Sequence, residues 1–154
     1  MKISRAVTIA VATLLLTASA VFSANLFAGY GGLRWGTDIH TVLKTFRNGT
    51  LGKIGGQMVY TQRDPDRTAR QRTFGFSSSG LEAVSITFRA SYVQQVGIET
   101  ILRQLMKNFG EGHLNRSSAP HLLSYFWEDP FTRITLTFSG TSPDMAILLF
   151  QQKK

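Results

Sequence analysis

The apolar residues of this chain change period along its length, and that change constrains the fold more than any other feature. Ile39, Val42, Leu43 and Phe46 stand at i, i+3, i+4 and i+7, and Ile98, Ile101, Leu102, Leu105 and Phe109 at i, i+3, i+4, i+7 and i+11. Each set puts one apolar stripe on one side of a helix. A short helix with a single stripe is unstable alone and needs a surface to lie on. The rest of the chain supplies that surface, because its apolar residues alternate with polar ones.

Local chemistry marks where the helices begin and end. The first is predicted within Leu33 to Phe46, with Thr37 as N-cap hydroxyl, Asp38 just inside at the positive dipole end, and Trp35 folded back as an apolar lid. Asn48-Gly49 stops it. The second is predicted over Ile98 to Phe109, with Glu99 early, Lys107 late and Gly110 as a left-handed stop.

After each helix the period drops to two. Gln57 to Arg63, Gln71 to Phe76 and Leu81 to Arg89 read as strands, joined by a turn at Asp64-Pro65-Asp66 and a connection at Ser77 to Gly80. Leu51 to Gly56, with three glycines, reads as a loop that has neither a P-loop nor a dinucleotide-binding order. In the second half, a polar loop from Glu111 to Pro120 precedes strands around Leu123 to Trp127, Ile134 to Phe138 and Met145 to Gln151. The last is apolar on both sides through Ile147, Leu148, Leu149 and Phe150, which places it mid-sheet or against another chain. The expected class is α+β: a tandem α-β-β-β repeat, units about 33–90 and 91–154, with two helices packed on an antiparallel sheet.

With 154 residues the chain holds one domain. Residues 1–23 have the order of a signal peptide: Lys2 and Arg5, an apolar run from Ala6 to Leu16, then small residues with Ala18-Ser19-Ala20 as a cleavage site. Residues 24–32 are a glycine-rich linker and 33–154 the domain. The expectation is an exported protein, periplasmic or secreted after cleavage; the alternative is an N-terminal membrane anchor, since Ala6 to Ala28 carries no charge. There is no cysteine, so the fold has no disulfide and rests on its apolar core. Losing Lys2 and Arg5 lowers the net charge from +8 to +6. Such a surface meets anionic polymers or lipid headgroups, whereas no motif for nucleic acid is present.

Little catalytic chemistry is legible. No serine lies in a Gly-x-Ser-x-Gly elbow, and there is no cysteine nucleophile. Glu111, His113 and His121 do not have compact metal-ligand spacing and read as solvated loop residues. Glu128-Asp129 is an adjacent acid pair whose members would point to opposite faces of a strand, so a turn cap is the preferred role. The candidate binding residues are Arg63, Arg67, Arg70 and Arg72, the densest basic run, with Trp35 and Trp127. The arginines either guard a sheet edge, the preferred reading, or bind an anionic partner. The tryptophans either pack, again preferred, or offer a stacking platform. No cofactor is expected.

The helix-then-strands order, Gly36-Thr37 opening the first helix with Val42 following, Gly32 to Thr37, Phe74-Gly75-Phe76, Gly80-Leu81, the Ile98 to Gly110 helix and Phe126-Trp127 together carry a resemblance. The chain resembles the beta-lactamase-inhibitor-protein fold, the small outer-membrane assembly lipoproteins of the BamE/SmpA kind and, more closely, small exported bacterial proteins of unassigned function. The assembly lipoproteins carry a lipidated cysteine, which this chain lacks. The resemblance implies the tandem fold and protein–protein binding; with no catalytic constellation legible, the expected function is non-enzymatic binding of another envelope protein through the sheet face or an edge strand.

Overall fold

The alternating stretches pair into one large sheet whose two halves meet at its centre. The structure is a computed structural model and describes residues 25–115 and 121–154. The proposed signal segment therefore lies outside the described residues. Element order is β1 (Gly29–Tyr30), β2 (Leu33–Arg34), α1 (Ile39–Thr45), β3 (Thr50–Ile54), β4 (Gln57–Arg63), β5 (Ala69–Ser77) and β6 (Gly80–Phe88). There follow α2 (Ala90–Val96), α3 (Ile98–Phe109), β7 (His113–Asn115), β8 (Leu122–Glu128), β9 (Thr132–Ser139) and β10 (Ala146–Gln152). Among the described residues the architecture is α+β: three helices, an eight-stranded antiparallel sheet in the order β3-β4-β5-β6-β10-β9-β8-β7, and a two-stranded β1-β2 ribbon.

Each half carries four strands where three were expected. The additions are the two outermost strands: β3, in the stretch read as the Leu51 to Gly56 loop, and β7, inside the Glu111 to Pro120 loop. A further helix, α2, precedes α3. The first N-cap is Asp38 and not Thr37: its carboxylate accepts the Thr41 N–H at 3.1 Å, while the Thr37 hydroxyl donates backwards to the Arg34 carbonyl. The Thr41 hydroxyl, which donates to the same carboxylate at 2.6 Å, and then the Thr41 N–H hold the Asp38 carboxyl below its ordinary value.

Register puts all the helices' apolar partners on one side. Tyr60, Phe74, Val84, Phe150, Ile134 and Trp127 face one another in a single row from β4 across to β8. The α1 stripe, led by the fully buried Val42, packs on the β4–β6 end of this row; Ile101 and Leu105 of α3 pack on the β8–β10 end. Each large side chain so buried contributes about 1.5–3 kcal/mol. The strand that is apolar on both sides, β10, lies between β6 and β9 at the centre of the sheet, as its pattern requires.

The linker residues also have a place. Asn25 to Tyr30 runs across the second half: the Leu26 N–H donates to the Asp129 carboxylate at 2.9 Å, and the Thr132 hydroxyl donates to the Phe27 carbonyl at 3.0 Å. Among the described residues no helix is long and apolar enough to cross a membrane.

Candidate functional site

Because side chains alternate, the other side of the sheet is equally determined by register, and none of the described helices packs on it. Its middle row reads Thr61, Thr73, Ser85, Leu149, Thr135, Phe126 and His113 from β4 to β7. The flanking row toward the connection of β4 to β5 runs from Arg63 and Gln71 through Thr87, Ile147 and Thr137 to Ser124. The third begins with Val59, Gly75 and Ala83 and ends with Gln151, Arg133 and Glu128.

Two properties separate this face from an ordinary wet surface. Its middle row holds no Lys, Arg, Asp or Glu, although such residues normally make up about a quarter to a third of a protein surface. And five of its polar side chains bond one another in the plane of the face. Thr61 and Thr73 hydroxyls lie 3.3 Å apart, Gln71 Nε2 donates to Thr73 Oγ1 at 3.1 Å, and Ser124 and Thr137 hydroxyls are 2.8 Å apart. Half-exposed Ile147 and Leu149 stand at its centre. At the rim, the Arg133 guanidinium lies 4.4 Å from the Phe126 ring centroid and 3.8 Å from Glu128. Seven strand spacings of about 4.8 Å by about five residues of strand give roughly 600 Å². That is comparable to the roughly 800 Å² each partner buries in a standard protein interface.

The arginines singled out in the sequence do not share one surface. Arg63 stands on the open face opposite Gln71, while Arg72, one residue out of phase, stands on the helix side opposite Gln62. Arg67 and Arg70 are exposed between them, Arg70 at an irregularity of β5. Their strands, β4 and β5, are interior to the sheet, so they guard no edge; the edges are β3 and β7. Arg72 is bound by Asp66 at 2.9 Å and Gln62 at 3.1 Å and lies over the Tyr30 and Phe46 rings.

The tryptophans take packing roles. Trp127 is 1% exposed and its indole N–H donates to the Gly110 carbonyl at 2.9 Å, so it presents no ring to a ligand. Trp35 packs on the α1 cluster, and its indole N–H reaches across to Thr132 Oγ1 at 2.9 Å, tying the two halves. His113 lies on the Phe126 ring and His121 is exposed at the start of β8. Among the described residues no three His, Asp or Glu side chains gather as a metal-holding group. The acid pair divides as strand geometry demands: Asp129 is buried and takes the Phe131 and Thr132 N–H groups as a turn cap, whereas Glu128 stays in solvent with Arg133 and Lys153.

A sheet face or an edge strand is the binding surface expected from the sequence, but of the residues in the open face's rows only Arg63 is a candidate there. The signal of the face was available: the polar half of each alternation is hydroxyl-rich and short of charge. Set against family models, curated proteins and solved structures, this chain finds no match.

Proposed function

We propose that this chain is a non-enzymatic, exported protein that binds another protein of the cell envelope through the open face of its sheet. The observation that carries the reading is the uncharged middle row running from Thr61 to His113. Depletion of charge along this row, with the Phe126 ring in it and the Arg133 guanidinium over that ring, matches the composition of an interface core. The Thr61–Thr73 and Ser124–Thr137 hydroxyl pairs lower the cost of taking these groups out of water, since one donor of each pair is already bonded. The reading also takes the two helix-led halves, meeting at β6 and β10, as a duplicated unit, in keeping with the resemblance drawn from the sequence.

A photo-crosslinking residue at Leu149, Thr135 or Thr73, compared with one at exposed Arg103 or Asn108 on α3, tests the face in intact envelopes. One discrete protein adduct from the sheet positions, absent from the helix positions, lost with Leu149→Lys and unmoved by moderate salt, supports the reading. Equal adducts from both sides, or none from the sheet, overturn it.

The second reading is binding of an anionic glycan or lipid headgroup. Exposed Arg63, Arg67 and Arg70 at the β4–β5 connection keep it in play. Binding to heparin or phosphatidylglycerol vesicles that falls steeply with salt, and vanishes when these three become Ser, would favour it over the first.

A further inference from the structure

The described helices do not fully roof their side of the sheet. Between the α1 half and α3 a cavity of about 290 Å³ opens onto the sheet's middle strands, close to the lower size limit of small-molecule sites. Ile86 and Leu148 form its apolar floor, Leu105 stands in its wall, and exposed Gln104 of α3 sits at its lining. Arg72 and Tyr30 stand at its polar end together with Thr68 and the Asp66 carboxylate, which already takes one Arg72 donor at 2.9 Å.

Arg72 is the unusual member. Its side chain is only 16% exposed, and it carries five N–H donors. Gln62 accepts from Nη1 and Asp66 from Nη2, while buried Nε has no acceptor. Asp66 is itself tied by the Thr68 hydroxyl and the Thr68 and Ala69 N–H groups, so the guanidinium is held from behind and does not swing to solvent. A guanidinium fixed in this way beside an apolar floor, with donors to spare, suits a planar anion. A hydrophilic anion would leave Ile86 and Leu148 wet, and a neutral apolar molecule would leave the donors unmet.

We propose that this cavity binds a small free carboxylic acid with an apolar tail, its head on Arg72 and its tail along Ile86, Leu148 and Leu105. The site lies on the opposite side of the sheet from the open face and does not depend on the protein-binding reading. The test is titration of the full chain with sodium octanoate and with 1-octanol, followed by calorimetry and heteronuclear NMR. One octanoate per chain is expected, with shifts at Tyr30, Ile86, Leu105 and Leu148 and with octanol at least tenfold weaker. Arg72→Met should abolish the preference for the acid. Gln104→Trp, a surface change that plugs the cavity, should abolish binding of both. Absent octanoate binding, equal affinity for acid and alcohol, shifts elsewhere, unchanged binding by Gln104→Trp, or an acid preference kept by Arg72→Met would each overturn the proposal, and the first four stand even if Arg72→Met does not fold.

Discussion

Two neighbouring carboxylates, Glu128 and Asp129, show how sharply one residue of offset divides structural roles. Asp129 accepts three backbone N–H groups, from Leu26, Phe131 and Thr132, at 2.9, 2.8 and 2.7 Å. Replacing it with Ala strands buried donors, so Asp129→Ala is expected to cost about 3 kcal/mol. Glu128 makes only surface ion pairs, and Glu128→Ala is expected to cost less than about 1 kcal/mol. Urea unfolding of the two variants checks the contrast. Asp66 sets an acid dependence. Burial pushes its carboxyl upward, but hydrogen bonds from Ala69 and Thr68 and the Arg72 charge outweigh this and hold it below its ordinary value. A carboxylate so depressed contributes stability that is complete above the unfolded value of about 3.9 and is lost as pH falls through the folded one. Below about pH 4 the urea midpoint of Asp66→Asn should therefore fall less steeply than that of the parent.

At the scale of elements, what could be read from the sequence followed burial. β4, α3 and β10 stand close to where their periods place them because each has a side pressed against the core. β3 escaped the reading because it is an edge strand exposed at all five residues, with no buried side to impose alternation. β7 is only three residues long, and α2 is two turns with one buried residue, Val93. The residues of the open face other than Arg63 escaped because alternation reports that a residue is wet, not what its wet neighbours across the sheet are. One connection tests how the elements lock. Gly80 has φ +102°, and a Cβ there would stand 2.4 Å from the Gly36 carbonyl oxygen and 2.7 Å from that of Thr37, where the α1 leader hydrogen-bonds to β6. Gly55 in the β3–β4 turn has φ +57° and open space around it. Gly55→Ala should thus cost about 1 kcal/mol for the backbone alone. Gly80→Ala should cost at least twice that, because the hairpin must pull away from α1. Thermal unfolding of the pair separates conformational strain from lost docking.

Across the whole molecule, the two helix-led halves have separate apolar clusters, yet several contacts make them one body. β6 and β10 pair over five positions, Trp35 bonds Thr132, and Asn25 to Tyr30 crosses between the halves. Phe150 packs against both clusters, its ring 5.0 Å from Tyr30 and 6.3 Å from Phe109. Backbone pairing along the seam holds the halves in register, but it is side-chain packing that makes their unfolding cooperative, since packing couples each cluster's loss to its neighbour's. In the parent protein, amide exchange in β5 and β9 should therefore report the same opening free energy, as a two-state body requires. Phe150→Ala removes the shared ring and leaves a cavity against both clusters, at a cost of about 3–5 kcal/mol. The cost should not be shared equally: β5 keeps the Tyr30, Phe46 and Tyr60 rings around Phe74, whereas Phe109 keeps only Trp127 as a ring neighbour among the described residues. Exchange in β9 should then outrun exchange in β5 in the variant. Identical exchange in both strands would show that the backbone seam alone carries the coupling.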